Sequence, residues 1–147
     1  MKEIIIKCLC QTVLLVFPLF AYSQTIDITI TNVRSAKGQI YVSLFTNAEE
    51  FKTEKPVWER FYDKSTLQNN TFRVTVSDLK ADTYGVVVHD DENGNGKMDY
   101  KFLGMPTEGF GFSDYIVKLL KRPAFKDFSF QLKENETKEV TVEMKYL

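Results

Sequence analysis

The sequence predicts an all-β protein, built as a two-sheet β-sandwich of about seven strands. Three observations lead to this fold class. Apolar and polar residues alternate along several short runs, which is the period of a half-buried strand. β-branched and aromatic residues fill those runs, and clusters of turn residues separate them. The chain has 147 residues, of which 44% are hydrophobic, and a formal net charge of −1, which is typical of a globular protein.

The first segment is a predicted secretory signal peptide over residues 1–23. The stretch "MKEIIIK" carries two lysines and "CLCQTVLLVFPLFA" is apolar. The small residues Ala21 and Ser23 stand at the −3 and −1 positions of a cut before Gln24. The alternative is an uncleaved membrane anchor, but the apolar run is shorter than the roughly 20 residues of a spanning helix, and Pro18 interrupts it. We therefore expect an exported protein, periplasmic or extracellular, with no transmembrane segment after cleavage.

Cleavage would leave residues 24–147 as a single domain. It removes both cysteines, Cys8 and Cys10, so no disulfide framework is expected. The only basic run that stands out is "VKLLKR", which is more often a solvated face than a nucleic-acid surface. These features predict a protein that does not bind nucleic acid, and we expect it to be a monomer.

The strands are predicted from alternation along the mature chain. The first puts Ile26, Ile28 and Ile30 on one face, and the fourth is a more continuous apolar run that is typical of a central strand. The six runs are "TIDITITNV", "QIYVSLFT", "TFRVTV", "TYGVVVHD", "FSFQL" and "KEVTVEMKYL". Only the stretch "TNAEEFKTEKPVWERFYDK" is compatible with a short helix, before or after Pro56.

A candidate metal loop follows the fourth run, in "HDDENGNGKMDYKFLGMPTEGFGFSD". Numbered from Asp91, the loop has the spacing of an EF-hand calcium loop, which offers alternate oxygens around a glycine turn at position six. The predicted ligands are the side chains of Asp91, Asn93, Asn95 and Asp99 and the carbonyl of Lys97, with Gly96 at the turn. Calcium prefers six to eight hard oxygen ligands, which these groups supply in part.

The loop also departs from an EF-hand. Position twelve is Phe102 rather than a bidentate glutamate, and no amphipathic helices flank the loop. The missing ligand must then come from elsewhere. Glu108 is the first candidate and Asp90 is the second. The alternative is a polar turn, since "NGNG" is also an ordinary hairpin signal. Magnesium fits less well because it prefers a stricter octahedral geometry. Zinc prefers histidine and cysteine ligands, and the mature chain has one histidine and no cysteine.

The stretch that follows, "FLGMPTEGFGFSDY", is rich in glycine and aromatic residues. Its aromatic side chains form either an exposed platform for a glycan or peptide, or a cover over one end of the sandwich. They are Phe102, Phe110, Phe112 and Tyr115. The chain has 12 phenylalanines, and a sandwich core needs large apolar side chains, so packing is the expected role for most of them.

A family resemblance rests on these same residues. The segments "VVVHDDENGNGKMDYKFLGMPTEGFGFSD", "RPAFKDFSFQL" and "KEVTVEMKYL" resemble the secreted bacterial proteins grouped as domain of unknown function 2141. "GQIYVSLFTNAEEF" and "VSDLKADTYGVVVHD" resemble them too, although "LKADTYGV" lacks the usual Pro-Gly turn. The resemblance implies an exported single β-sandwich of transthyretin-like or immunoglobulin-like kind, and no established activity.

Catalysis is the weaker hypothesis. His89 is the only histidine and follows a predicted strand beside Asp90, so a small hydrolase that uses this pair is conceivable. Ser113, however, lies in "FGFSDY" and not in a nucleophile elbow. We therefore predict an exported, non-catalytic binding or structural module with a calcium-organised loop. The alternative is a glycan- or peptide-binding accessory domain that uses the aromatic loop 102–115.

Overall fold

The computed structural model describes residues 23–118 and 121–147. The predicted signal peptide 1–23 lies outside the described residues except for Ser23. The strands are β1 (Gln24–Thr31), β2 (Gln39–Phe45), β3 (Trp58–Asp63), β4 (Phe72–Leu79), β5 (Asp82–Asp91), β6 (Gly109–Phe112), β7 (Ser129–Leu132) and β8 (Thr137–Glu143). A short helix, α1 (Ala48–Thr53), lies between β2 and β3, and two 3₁₀ turns span Phe102–Gly104 and Phe125–Asp127.

The strands form two sheets. The smaller has the order β4-β1-β8, with β1 antiparallel to β4 and parallel to β8. The larger has the order β3-β2-β5-β6, and β7 pairs with the first half of β5 while β6 pairs with its second half. All pairings in the larger sheet are antiparallel. β5 is therefore central, as its continuous apolar run predicts, and both of its ends are held by neighbouring strands.

The main core lies between the two sheets. Alternate residues of β1 and β4 face alternate residues of β2 and β5, and the first of these strands contributes the fully buried Ile26, Ile28 and Ile30. Each isoleucine, leucine or valine buried in this way contributes about 1.5–3 kcal/mol relative to exposure. The two-sheet sandwich predicted from alternation is confirmed, with eight strands rather than about seven.

A second, smaller core lies on the other side of the five-stranded sheet. It packs α1 and the segment after β6 against the outward-facing side chains of β2 and β6. Its buried members are Phe45, Phe51, Phe112, Val117 and Phe128. Phe51 is central, with its ring centroid 4.9 Å from that of Phe128 and 5.5 Å from that of Phe45. This cluster explains why the chain needs so many phenylalanines, because both faces of the larger sheet are covered in part.

The six predicted strands are all present, and the predicted short helix is α1, before Pro56. Asn47 caps this helix, and its side-chain oxygen accepts from the N–H groups of Glu49 and Glu50. β3 and β6 were not predicted. In the described part of the chain, no helix has the length and apolar character needed to cross a membrane.

Candidate metal centre

The candidate site begins where β5 ends. Alternation along this strand directs Val86, Val88 and Asp90 toward the core between the sheets, and Val87 and His89 toward the outer face. The chain then leaves the sheet at Asp91, which pairs in register with Gln39 of β2. Two adjacent carboxylates therefore enter different surroundings, one in the interior and one at the base of the loop.

The carboxylate of Asp91 organises the loop. Its Oδ1 accepts from the N–H groups of Gly94 (2.8 Å) and Asn95 (3.1 Å), and its Oδ2 accepts from the N–H of Gly96 (2.9 Å) and from Gln39 Nε2 (2.9 Å). Burial disfavours the charged form, but these hydrogen bonds outweigh burial and lower the pKa of Asp91. One fully buried carboxylate thus draws three consecutive backbone donors inward, which curls the loop.

The other oxygen-bearing side chains of the loop converge on Asp99. Its Oδ2 accepts from Asn93 Nδ2 at 2.6 Å and from Asn95 Nδ2 at 2.7 Å. The Oδ1 of Asn93 accepts from the N–H of Asn95, and the Oδ1 of Asn95 accepts from the N–H of Lys97. The side chains at loop positions three, five and nine therefore meet through hydrogen bonds from the amide nitrogens, whereas Asp91, at position one, binds backbone N–H groups instead.

Two glycines make this curl sterically acceptable. Gly94 and Gly96 have φ angles of +72° and +79°, in the left-handed region that other residues rarely adopt. The sequence prediction placed a sharp turn at Gly96, and that prediction is confirmed.

Glu108 lies beside the loop and is bound to three protein groups. Its Oε2 is 2.9 Å from His89 Nε2 and accepts from the N–H of Asp99, and its Oε1 accepts from the N–H of Glu92. Among residues 23–118 and 121–147, no three His, Cys, Asp or Glu side chains are grouped so that they could hold a metal ion. A metal site at this loop therefore depends on amide and backbone oxygens beside the carboxylates of Asp91 and Asp99.

A buried ionic cluster next to the loop was not predicted. Asp90 forms a salt bridge with Lys64, and both side chains are completely buried. Tyr146 donates to Asp90 Oδ2 at 2.6 Å, and Lys64 also donates to the carbonyl of Ser35 at 3.1 Å. Burial raises the pKa of Asp90 against the opposing effect of Lys64 and Tyr146. The alternation that places Val86 and Val88 inward also places Asp90 inward. From this pattern in the sequence, the buried position of Asp90 could have been predicted.

A second ion pair lies at the surface above this cluster. Arg34 and Ser35, in the loop between β1 and β2, both bind the carboxylate of Glu92. The guanidinium of Arg34 also stacks over the ring of Tyr146, 4.4 Å from its centroid. The hydrogen bond from Arg34 lowers the pKa of Glu92, and its effect is larger than that of burial, which acts in the opposite direction. Glu92, near the start of the candidate loop, is thus tied through Arg34 to the β1–β2 loop, which joins the two sheets, and to Tyr146 in the C-terminal segment.

Ser113 and His89, the residues considered for catalysis, bind different partners. Ser113 is buried, donates from its hydroxyl to the carbonyl of Phe128 at 2.7 Å and accepts from the N–H of Val86 at 2.9 Å. His89 instead pairs with Glu108 through Nε2. These hydrogen bonds use Ser113 to hold the segment after β6 against β5, which is a packing role.

The aromatic residues of the loop 102–115 divide between packing and exposure. Phe112 belongs to the second core, and Phe110 and Tyr115 pack against it. Phe102 is 89% exposed, and its neighbour Tyr100, which the sequence interpretation did not include, is 61% exposed. Of the four aromatic residues considered for an exposed platform, three therefore pack against the sheet and one, Phe102, is exposed.

Comparison with known proteins identifies the family of the chain. A family model described as "Uncharacterized protein conserved in bacteria (DUF2141)" matches residues 28–140. This range runs from within β1 to within β8 and includes the candidate loop and the second core. The comparison with curated proteins and the comparison with solved structures found no match.

Proposed function

We propose, from the premise that this chain belongs to the family of uncharacterized proteins conserved in bacteria (DUF2141), that it is an exported, non-catalytic β-sandwich module whose loop 91–99 binds calcium. The convergence of Asn93 and Asn95 on Asp99 carries the proposal. Export is supported by the signal-peptide pattern of residues 1–23.

The groups of the loop fit a hard cation. Asp91 and Asp99 provide formal negative charge, and the amide oxygens of Asn93 and Asn95 each accept one backbone N–H, which leaves a second lone pair. The carbonyl of Lys97 is the predicted backbone ligand. In the structure the amide nitrogens of both side chains donate to Asp99, so a half-turn of either amide would bring an oxygen toward Asp99 at the cost of the backbone hydrogen bond that this oxygen now accepts. Oxygen ligands of this kind suit calcium, and an irregular loop suits it better than magnesium.

Calcium binding would stabilise the native state. Calcium sites in extracellular modules commonly have dissociation constants of about 10⁻⁴–10⁻³ M. A ligand present at about a hundred times its dissociation constant stabilises the folded state by about 2.7 kcal/mol. We therefore expect the melting temperature of residues 24–147 to rise with 10 mM calcium, to rise less with magnesium, and to fall to its starting value when a chelator is added.

Variants assign the response to the loop. Asp99→Asn keeps the shape of the side chain but removes its charge, so it should lose most of the calcium-induced rise. Lys97→Ala should keep the rise, because only the backbone carbonyl of Lys97 is used. Glu108→Gln separates two roles: a ligand would change the calcium-induced rise, whereas a brace held by His89 would change the melting temperature in chelator. Equal melting temperatures for the wild-type protein in calcium and in chelator would overturn the calcium proposal.

A second candidate function is an accessory domain that binds a glycan or an extended peptide. The exposed rings of Tyr100 and Phe102, next to the candidate loop, favour it. Stacking on exposed aromatic rings is a common way to hold such ligands. A glycan and peptide array tests this function, with Phe102→Ala expected to remove any signal. Ile116→Ala serves as the control, because Ile116 is also exposed and lies outside the 100–102 segment.

A further inference from the structure

The outer face of the five-stranded sheet carries a groove of about 620 Å³. Its floor is made by outward-facing residues of three adjacent strands, which include Tyr41 of β2, Val87 and His89 of β5, and Phe110 of β6. One wall is the segment 96–106, and the other is formed by α1 and by residues near Arg122. We call this feature the outer groove. Its volume lies in the range of about 300–1,000 Å³ that is usual for sites of small organic ligands.

The charges around the outer groove are mostly positive. Lys97 lies on one wall, and Lys121 and Arg122 lie on the other, whereas Glu54 is the only acidic side chain among the lining residues that the structure describes. Glu54 is itself paired with Arg122, at 3.0 Å. The chain as a whole has a net charge of −1, so this concentration of cations does not follow from composition. An apolar floor with cations on opposite walls is complementary to an anion that has an apolar body.

Arg122 is held in place before any ligand binds. Its Nη2 donates to the carbonyl of Phe51 at 2.7 Å, and its guanidinium lies 4.2 Å from the centroid of the Phe51 ring. These contacts fix the side chain against the second core, so little conformational entropy is lost when its remaining donors bind an anion. Lys97 and Lys121 are exposed and adjust to the ligand.

From this geometry we propose that the outer groove binds a small organic anion with an apolar, ring-containing body. The body lies on Val87 and Phe110, and the anionic group is placed among Lys97, Lys121 and Arg122. The inference names a ligand class for the binding module proposed above, and it rests on that proposal only for the absence of catalysis. The floor is formed by the sheet, so binding does not require calcium, although the 96–106 wall is continuous with the candidate loop.

Naphthalene-2-sulfonate is a suitable probe because its uncharged analogue, naphthalene-2-sulfonamide, has nearly the same shape. Isothermal titration calorimetry on residues 24–147, with chelator present, should show saturable one-to-one binding of the sulfonate. The sulfonamide should bind at least tenfold more weakly, because it lacks the charge that the three cations recognise. Protein NMR should show contacts between naphthalene protons and the methyl groups of Val87.

Variants test the position of the anionic group. Lys121→Glu should weaken sulfonate binding about tenfold and leave sulfonamide binding nearly unchanged. Lys80→Glu makes the same charge change on an exposed residue outside the outer groove and should leave both unchanged. Val87→Trp should block both ligands, with its melting temperature measured to show that it folds.

The proposal is overturned by any of three results. These are no saturable binding below 1 mM, equal affinities for the sulfonate and the sulfonamide, or equal weakening by Lys121→Glu and Lys80→Glu. Repeating the titration in 10 mM calcium separates the two proposals. Sulfonate binding with no calcium effect on melting temperature supports the outer groove alone, and a calcium effect without sulfonate binding supports the loop alone.

Discussion

At the scale of single residues, the least expected feature is the ionic cluster of Asp90, Lys64 and Tyr146 inside the sandwich. A buried charge is costly unless it is paired and hydrogen-bonded, and here each group has its partner. Tyr146 fits against Gly109 so closely that a β-carbon on Gly109 would overlap its ring. Asp90 could be placed inward from sequence alternation, but Lys64 and Tyr146 could not, because their contacts join positions far apart in the chain.

The first residue-scale prediction concerns Lys64. Lys64→Met keeps the apolar stem of the side chain but leaves the buried carboxylate of Asp90 without its cation. Removing one partner of a buried ion pair typically costs about 3–5 kcal/mol. Urea denaturation should therefore show a loss of that size in the free energy of unfolding.

A double variant provides the control for this change. Lys64→Met combined with Asp90→Leu removes both charges, so it should be more stable than Lys64→Met alone. If the double variant is less stable than the single variant, the cost comes from lost packing and not from an uncompensated charge.

At the scale of elements, prediction from sequence succeeded where a strand has one buried face. β1, β4 and β8 alternate clearly in burial, β2 alternates in its first half, and the continuous run of β5 identified the central strand. β3 was missed because it is largely exposed and does not alternate in burial. β6 was missed because half of "GFGF" is glycine, which is more typical of a turn than of a strand. Pairing is less predictable still, since the parallel contact of β1 with β8 joins the two ends of the domain.

The candidate loop shows the same limit. The spacing of its oxygens and the turn at Gly96 could be derived from sequence, because they depend on neighbouring residues. The supports at its base could not be derived in this way. Gly38 lies in the turn before β2, Gln39 is the first residue of β2, and Glu108 directly precedes β6. Contacts across the sheet decide these positions, and local patterns carry no information about them.

The element-scale prediction compares two glycines with similar backbone conformations. Gly38 and Gly94 have φ angles of +68° and +72°, so replacement by alanine costs each about 1–2 kcal/mol. A β-carbon on Gly94 meets no atom within 4 Å, whereas one on Gly38 would overlap the backbone of Asp91 and Glu92. Overpacking adds about 1–3 kcal/mol, so Gly38→Ala should destabilise the protein clearly more than Gly94→Ala.

Urea denaturation in chelator measures both glycine variants without any contribution from calcium. If both variants lose the same free energy of unfolding, the close contact between the β1–β2 turn and the base of the loop is contradicted. Calcium should stabilise Gly94→Ala as it does the wild-type protein, provided that the loop keeps its curl.

At the scale of the whole molecule, one central strand supports everything that has a candidate function. β5 takes part in the main core with one face and in the outer groove with the other, and it ends at the candidate loop. The long segment between β5 and β6 lines the outer groove, and the second core holds α1 and the segment after β6 against the same face of the sheet. A conformational change in the candidate loop would therefore move the 96–106 wall of the outer groove and leave its floor, which the sheet forms, in place.

Acid should destabilise the whole molecule, and Glu50 is the clearest cause outside the candidate loop. Burial favours its neutral form, but hydrogen bonds from the N–H and hydroxyl of Thr46 and from Asn47 outweigh burial and lower the pKa of Glu50. A carboxylate whose pKa is lower in the folded state stabilises that state above its unfolded pKa of about 4.3. This stabilisation is lost as the pH falls through the folded-state pKa.

Glu50 and its neighbour Glu49 form a matched pair for this test. In the described part of the chain, the carboxylate of Glu49 makes no hydrogen bond. In chelator, the urea midpoint of the wild-type protein should fall between pH 7 and pH 3. Glu50→Gln should start from a lower midpoint at pH 7 and show a smaller fall, because glutamine cannot ionise and lacks the charge that strengthens these bonds. Glu49→Gln should behave as the wild-type protein does, and an equal fall for Glu50→Gln and the wild-type protein would exclude Glu50 as a source of the acid sensitivity.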